Sequence, residues 1–201
     1  MLASYALLLP LLTIPTQAPQ AAPPAKPFDC TAPEHRQFDF WVGEWDVVPN
    51  NAGGSGASGA SGASGASGAS GASGATTKPA VNIVEKAHKG CVIVENWDDG
   101  IGGTGQSFNV YDRAKKRWQQ TWVDSNGGLH EYWGELRDGN MVYIGDVPLP
   151  PASRFQGRRT VRLTFFPLGP DKVRQFSESL NVDGTWSVNY DLIYTRRAKL
   201  K

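Results

Sequence analysis

The stretch FDFWVGEWDVV, residues 38–48, concentrates aromatic side chains around one glycine. Such side chains carry much of the energy of a protein core, so the fold has to bury them. The residues around Phe38 and Trp41 can form a short helical turn, and Gly43 then lets the chain bend sharply into a first strand. Trp45, early in that strand, would close one end of the fold. We interpret the stretch as core and plug; the alternative is that Trp41 or Trp45 contacts a ligand.

From residue 80 onward, short apolar or alternating runs are separated by turn signals. The runs are AVNIVEKA (80–87), CVIVENW (91–97), QSFNVYD (106–112), RWQQTWVD (117–124), LHEYWGEL (129–136), MVYIGDV (141–147), RTVRLTFF (159–166), KVRQFSESL (172–180) and TWSVNYDLIY (185–194). Asn126-Gly127, Asp138-Gly139 and Asp183-Gly184 suit tight hairpins, because these residue types tolerate positive φ. The pattern predicts an all-β, up-and-down antiparallel meander.

A meander of this length has two exposed edge strands unless the sheet closes on itself. We therefore predict a β-barrel of about 8–10 strands, whose interior is wide enough for side chains or for one small ligand. A short N-terminal helical turn precedes the first strand.

The two ends of this predicted barrel resemble those of the calycin superfamily, which includes lipocalins, fatty-acid-binding proteins and nitrobindin-like barrels. The features that carry the resemblance are G-x-W at Gly43 to Trp45 and an arginine after the last strand. The resemblance implies that the arginine lies across the tryptophan and closes the barrel floor. Trp186, Val188, Tyr190, Leu192 and Tyr194 should share one face of the last strand. Arg196 continues that face and Arg197 does not, so we expect a cation–π contact between Arg196 and Trp45.

A longer pattern is similar to the DUF1579-like family of exported proteins of unknown function. It reads FDFWVGEW, GCVIVENW, YD, WQQTWVD and RQFSESLNVDGTW with a later Tyr, and it spans about residues 34–196. The resemblance implies a calycin-like barrel and no particular activity.

The N-terminal residues 1–27 read as a signal peptide followed by a Pro- and Ala-rich leader. The apolar run YALLLPLLTI is too short to cross a membrane as a helix but suits a signal sequence, although no basic residue precedes it. The sequence thus predicts a secreted or periplasmic protein without stable membrane insertion after leader removal.

Cys30 and Cys91 are the chain's two cysteines. In an oxidising compartment they would pair and staple the chain; in a reducing one they would be two buried thiols. The predicted export favours the disulfide.

Residues 53–75 are a Gly/Ala/Ser repeat that offers no side chain for a core. We predict a coil there, within one β-barrel domain over residues 28–197. The alternative of a linker between two domains leaves only residues 28–52 before it, too few for a domain.

Several motifs with chemical associations have simpler interpretations. GIGGTG, residues 100–105, matches a dinucleotide loop, but a strand follows it rather than the helix that would hold a pyrophosphate. The chain's three histidines show no metal-ligand spacing, and DSNGG (124–128) lacks the later acidic ligands of a calcium loop. There is no G-x-S-x-G elbow, and the histidine that nitrobindin-like barrels use for haem late in the chain is absent. We predict no metal and no cofactor.

Polar side chains recur on otherwise apolar strand faces, and a buried polar group needs a partner, which in a barrel is often a ligand or ordered water. The candidate ligand-binding residues are Glu95, Trp97, Gln120, Trp122, one or other of Tyr132 and Trp133, and Arg174. Glu95 and Gln120 have an equally simple outward-facing alternative. For Arg174 and Glu178 we favour outward placement with pairing across strands.

Three functions are compatible with these features. The first is binding of a small, partly apolar ligand, in which an acidic group would explain Arg174 and an amine would explain Glu95. The second is an enzyme with Glu95 as general acid or base. The third is a non-catalytic interaction domain with a filled core. The formal net charge of +1 gives no reason to expect nucleic acid as a partner. Ligand identity and oligomeric state stay open.

Overall fold

The structure is a computed structural model that describes residues 29–50, 79–149 and 157–198. The predicted leader, residues 1–27, and the predicted Gly/Ala/Ser coil, residues 53–75, lie outside these ranges and stay predictions.

Ten antiparallel strands, β1 to β10 in chain order, form one closed barrel. The strands are Gly43–Pro49, Ala80–Ala87, Val92–Asp98, Thr104–Asp112, Arg117–Asp124, Leu129–Arg137, Asn140–Pro148, Arg158–Gly169, Lys172–Leu180 and Trp186–Arg196. Each strand pairs with the next, and β1 also pairs with β10, so neither end strand is an open edge. The predicted all-β, up-and-down fold is confirmed.

A tight hairpin joins β6 to β7 at Asp138 and Gly139. Both residues have positive φ, 49° and 79°, which the favoured two-residue hairpin turn requires. The Asp-Gly pair therefore has the backbone conformation that its sequence predicts.

An aromatic cluster fills the barrel end where β1 begins and β10 ends, called here the closed end. Two 3-10 turns, Pro33–Arg36 and Asp39–Trp41, precede β1 and carry Phe38 and Trp41 into the barrel. Both side chains are fully buried, and their rings stack with centroids 4.9 Å apart. Phe165 packs against both of them, and the Trp45 indole N–H donates to the Trp41 carbonyl at 2.9 Å. The opening aromatic stretch is thus core and plug.

Arg196 covers the closed end from outside, in the predicted contact with Trp45. Its guanidinium carbon lies 4.2 Å from the Trp45 ring centroid, and its N–H groups donate to the carbonyls of Val42 and Pro170. Gly43 has φ +153°, and a Cβ there would overlap the guanidinium. Glycine at this position lets Arg196 approach the backbone closely.

A disulfide joins Cys30 to Cys91, as predicted. It ties the segment that precedes β1 to the residue just before β3, at the closed end. The described residues contain no helix that is long and apolar enough to cross a membrane.

The expectation of one continuous face along β10 is wrong at its start. The pairing with β9 shifts between Val188 and Tyr190, which is a β-bulge. Trp186 lies under the guanidinium of Arg162 on the outer surface, and Val188 is 57% exposed. The extra residue reverses the alternation of side chains, so the predicted face turns inward only from Tyr190 onward.

Candidate functional site

A cavity opens at the end of the barrel opposite Trp45, where β1, β3, β5 and β7 end. The empty volume of this cavity, with its open mouth included, is about 650 Å³. The part of it in which the centre of a water molecule fits is about 70 Å³. That is room for several waters or for a small organic molecule, since one water needs roughly 10–15 Å³ by this measure. The lining residues are Glu95, Trp97, Gln120, Trp122, His130, Tyr132, Val147, Arg159, Val161, Leu163, Gln175, Ser177, Asn189, Tyr190, Leu192 and Tyr194.

Five of the residues proposed from the sequence come together in this cavity: Glu95, Trp97, Gln120, Trp122 and Tyr132. They lie on β3, β5 and β6, and inward residues alternate with outward ones along each strand. The described structure thus gathers most of the candidate set on the interior, including Glu95 and Gln120.

Trp133 and Arg174 lie on the outer surface instead. Lys115 and Arg117 stack on the Trp133 ring at 4.2 and 4.1 Å. Arg174 makes two hydrogen bonds to Asp191 on the neighbouring strand β10, each 2.8 Å long. Neither residue contributes to the cavity lining, so an acidic ligand group does not meet Arg174 there.

Glu178 also faces outward and pairs across strands, with Arg162 at 2.7 Å. This is the arrangement favoured for Arg174 and Glu178 from the sequence. The alternating partners of β9, namely Gln175, Ser177 and Ser179, face inward and are buried. Strand β9 therefore turns uncharged polar side chains toward the interior, while Phe176 stacks with Arg174 outside.

A chain of buried hydrogen bonds holds the Glu95 carboxylate. The Asn82 amide donates to Oε1 at 2.8 Å, and the Ser107 hydroxyl donates to Oε2 at 2.7 Å. Behind Ser107, Asn109 donates to its hydroxyl at 3.0 Å, and Gln120 donates to Asn109 at 2.9 Å. The five side chains come from four adjacent strands, β2 to β5, so barrel closure fixes their relative positions.

Burial and hydrogen bonding act on Glu95 in opposite directions. Burial, which is the larger effect, disfavours the charged form and raises the pKa of Glu95 to about 7. The bonds from Ser107 and Asn82 lower the pKa of this carboxyl and offset only part of that rise. Glu95 therefore exchanges its proton near neutral pH, as acid–base groups in functional sites often do.

His130 and Arg159 lie at the mouth of the cavity, near the open ends of β6 and β8. Burial lowers the pKa of His130, and the nearby Arg159 and Arg158 lower it further, while Asp124 acts against them. The imidazole is therefore mainly neutral at neutral pH.

The Trp97 indole N–H is buried, and it has no hydrogen-bond partner among the described residues. A buried N–H without a partner is costly, and a ligand or an ordered water in the cavity would relieve that cost. The Trp97 side chain belongs to the cavity lining.

Sequence reasoning missed Gln175, Ser177, Asn189 and Tyr190. The first two alternate along β9 with Arg174 and Phe176. The aromatic ring of Phe176 suggested that its face of the strand, rather than theirs, points inward. Asn189 and Tyr190 are neighbours that both line the cavity because the bulge lies there. A bulge at this position has no signal in the sequence that we could identify.

Two described loops at the open end, residues 99–103 and 125–128, are hairpin connections held by aspartate side chains. Asp99 accepts the backbone N–H groups of Ile101 and Gly103, and Asp124 accepts those of Asn126 and Gly128. GIGGTG and DSNGG are therefore turns, as expected. In the described ranges no group of three or more metal-ligating side chains occurs.

Comparison with models of protein families gives no match, and comparison with curated proteins gives none either. The closed ten-stranded antiparallel barrel is compatible with a calycin-like fold.

Proposed function

We propose that this chain is an exported barrel protein that binds a small, partly apolar molecule in the cavity. The observation that carries the proposal is the cavity itself, which combines aromatic walls with a few buried polar groups. Such a combination is typical of small-molecule sites, where apolar burial supplies affinity and fixed polar contacts set orientation.

The size of the cavity limits the ligand. Room for several waters admits a molecule of about ten non-hydrogen atoms rather than a long acyl chain. The closed end is filled by Phe38, Trp41 and Trp45, which are fully buried, so a ligand enters only from the open end.

Two further parts of the proposal, export and family membership, have support of their own. Export is supported by the disulfide, which persists in oxidising compartments. Membership of the DUF1579-like family rests on the sequence pattern and on a barrel compatible with the calycin fold.

The first test is native mass spectrometry of the protein purified from its own host, followed by denaturing extraction of any bound molecule. A stoichiometric small molecule supports the proposal and identifies its class. The matched variants are Val161→Phe, which adds a ring inside the cavity, and Val188→Phe, which adds the same ring on the outer surface. We expect the first to lose the bound mass and the second to keep it.

Equal retention by both variants would place the bound molecule elsewhere and contradict the proposal. A chain without any bound mass that also binds no small aromatic probe would favour the interaction domain with a filled core.

Acid–base catalysis on the bound molecule is a second candidate, supported by the position of Glu95 on the cavity wall and its pKa of about 7. Incubating the extracted molecule with the wild type and with Glu95→Gln tests it. A mass or proton-exchange change that only the wild type produces would establish an enzyme, and no change with either protein would leave binding alone.

A further inference from the structure

A path of hydrogen bonds leads toward the Glu95 carboxylate. Tyr143 and Gln120 both donate to the Asn109 carbonyl oxygen, and Asn109 donates to Ser107. The Ser107 hydroxyl accepts that bond and donates its own hydrogen to Glu95. The network therefore presents donors to an acceptor, which is what an ionised carboxylate needs.

In the part of the chain that the structure describes, no ion pair balances that charge. None of the ion pairs within the described ranges includes Glu95. Arg159 lies at the mouth, whereas Glu95 pairs with Val84 and Ser107 in the middle of its strand. The causes that shift the pKa of Glu95 are burial and the hydrogen bonds from Ser107 and Asn82.

Aromatic rings share the cavity lining with Glu95. Trp97, Trp122, Tyr132, Tyr190 and Tyr194 all line the same cavity as Glu95. Faces of indole and phenol rings attract cations, and ring cages of this kind recognise ammonium groups.

We propose that the ligand is a small organic monocation, an alkylammonium with an apolar or aromatic body, whose positive charge pairs with Glu95 among these rings. This inference rests on the proposed binding function. The bound charge would supply the counter-ion that the hydrogen-bond network lacks, and the apolar body would fill the space toward Val161 and Leu163.

Glu95 is the group in this cavity that titrates near neutrality. Burial raises the pKa of Tyr132, Tyr143, Tyr190 and Tyr194 above the ordinary tyrosine value, so these phenols stay neutral. His130 is mainly neutral for the reasons given above. A pH effect on binding of a permanent cation therefore reports Glu95.

The test uses three probes of matched size: 2-phenylethylamine as the cation, 2-phenylethanol as the neutral analogue and phenylacetate as the anion. Their affinities are measured by isothermal titration calorimetry at about pH 8, where Glu95 is ionised. The variants are Glu95→Gln and, as a matched control, Glu131→Gln at an exposed position of β6.

We expect the wild type and Glu131→Gln to bind the amine about 10- to 100-fold more tightly than the alcohol, the range for hydrogen bonds to charged groups. Glu95→Gln should lose that preference and keep its affinity for the alcohol. This last outcome shows that the barrel still folds and that the charge alone has been removed.

A second readout separates charge pairing from a merely structural role. Near pH 7 the bound cation drives Glu95 into its ionised form, so wild-type binding should release protons and Glu95→Gln should release none. Titrations in two buffers of different ionisation enthalpy measure this release.

Two failures are distinguishable. Tight binding of the alcohol or of phenylacetate without preference for the amine would overturn the cation inference and leave the binding function standing. Binding of none of the three, in a protein that also carries no molecule from its host, would overturn both.

Discussion

Glu95 holds a carboxyl group at a depth where its charged form is costly, between donors that favour the charged form. Burial is the stronger influence and brings its pKa to about 7. In the unfolded chain the same group titrates near its ordinary value of 4.5. Folding stability is therefore linked to pH through this one residue.

The sign of the linkage follows from proton binding. Below the unfolded pKa both states are protonated, and Glu95 contributes no pH dependence. Between the two pKa values the folded state keeps a proton that the unfolded state has lost, so raising the pH destabilises the fold. We expect a loss on the order of 3 kcal/mol in the free energy of unfolding between about pH 4 and about pH 8 from this group.

Urea unfolding of the wild type and of Glu95→Gln over that range measures this loss. The variant should be the more pH-independent of the two, while Glu131→Gln should follow the wild type. Parallel pH profiles for wild type and Glu95→Gln would show that the carboxyl is solvated, contrary to the structure.

Arg196 and Arg197 provide a comparison of neighbouring residues with different roles. Arg196 stacks on Trp45 and donates to two backbone carbonyls, whereas Arg197 pairs with Asp46 on the surface. Replacing Arg196 by alanine should reduce the free energy of unfolding by about 2 kcal/mol, and Arg197→Ala by less than about 1 kcal/mol. Chemical denaturation of the two variants measures these two losses. Equal losses in the free energy of unfolding would mean that the stacking of Arg196 on Trp45 does not stabilise the closed end.

At the scale of elements, the segment before β1 and the start of β3 act as a stapled pair at the closed end. The segment contributes Phe38 and Trp41 to the core, and Cys30 anchors it to Cys91. The sequence separation of 61 makes this a long covalent loop. Long loops lose the most conformational entropy when they are closed in the unfolded state.

Replacing both cysteines by serine should cost about 4 kcal/mol of the free energy of unfolding in the chain-entropy account. The folded variant should keep its β-sheet circular dichroism, since the barrel pairings do not depend on the staple. Thermal and denaturant unfolding under oxidising conditions give the comparison. A loss below about 1 kcal/mol would indicate that the unfolded chain is already compact around this loop.

At the scale of the whole molecule, closure of the barrel makes every strand depend on its two neighbours. β1 and β2 pair from Gly43 with Val84 to Val47 with Ala80, although residues 50–79 separate them in the chain. β1 ends and β2 begins at the open end of the barrel. The register of this pairing does not depend on the length of the connection between the two strands.

Deleting residues 54–74 should therefore leave the fold and its stability nearly unchanged, with a gain of about 1 kcal/mol or less from the shorter loop. The melting temperature of the deletion variant, compared with the full chain, tests this expectation. A marked fall would show that the repeat contributes contacts and is not a coil.

Much of the fold followed from local pattern. Alternating runs ended by Asn-Gly and Asp-Gly predicted the strands, because side-chain period and turn chemistry are properties of a few adjacent residues. The G-x-W motif and the position of Arg196 predicted the closed end. The pairing of Cys30 with Cys91 followed from their being the two cysteines of the chain.

Which side chains line the inside of the barrel depended on more than local sequence pattern. Arg174 and Trp133 alternate with Gln175 and Tyr132, and the sequence alone does not say which of two mixed faces turns inward. A single bulge in β10 brought Asn189 and Tyr190 together on the cavity wall. The Glu95 network joins four strands, so the depth of its carboxyl and its need for a counter-charge arise only when the sheet closes. The sequence determined the strands and the end that is sealed; the register between strands decided the site, because it alone sets which side chains share the interior.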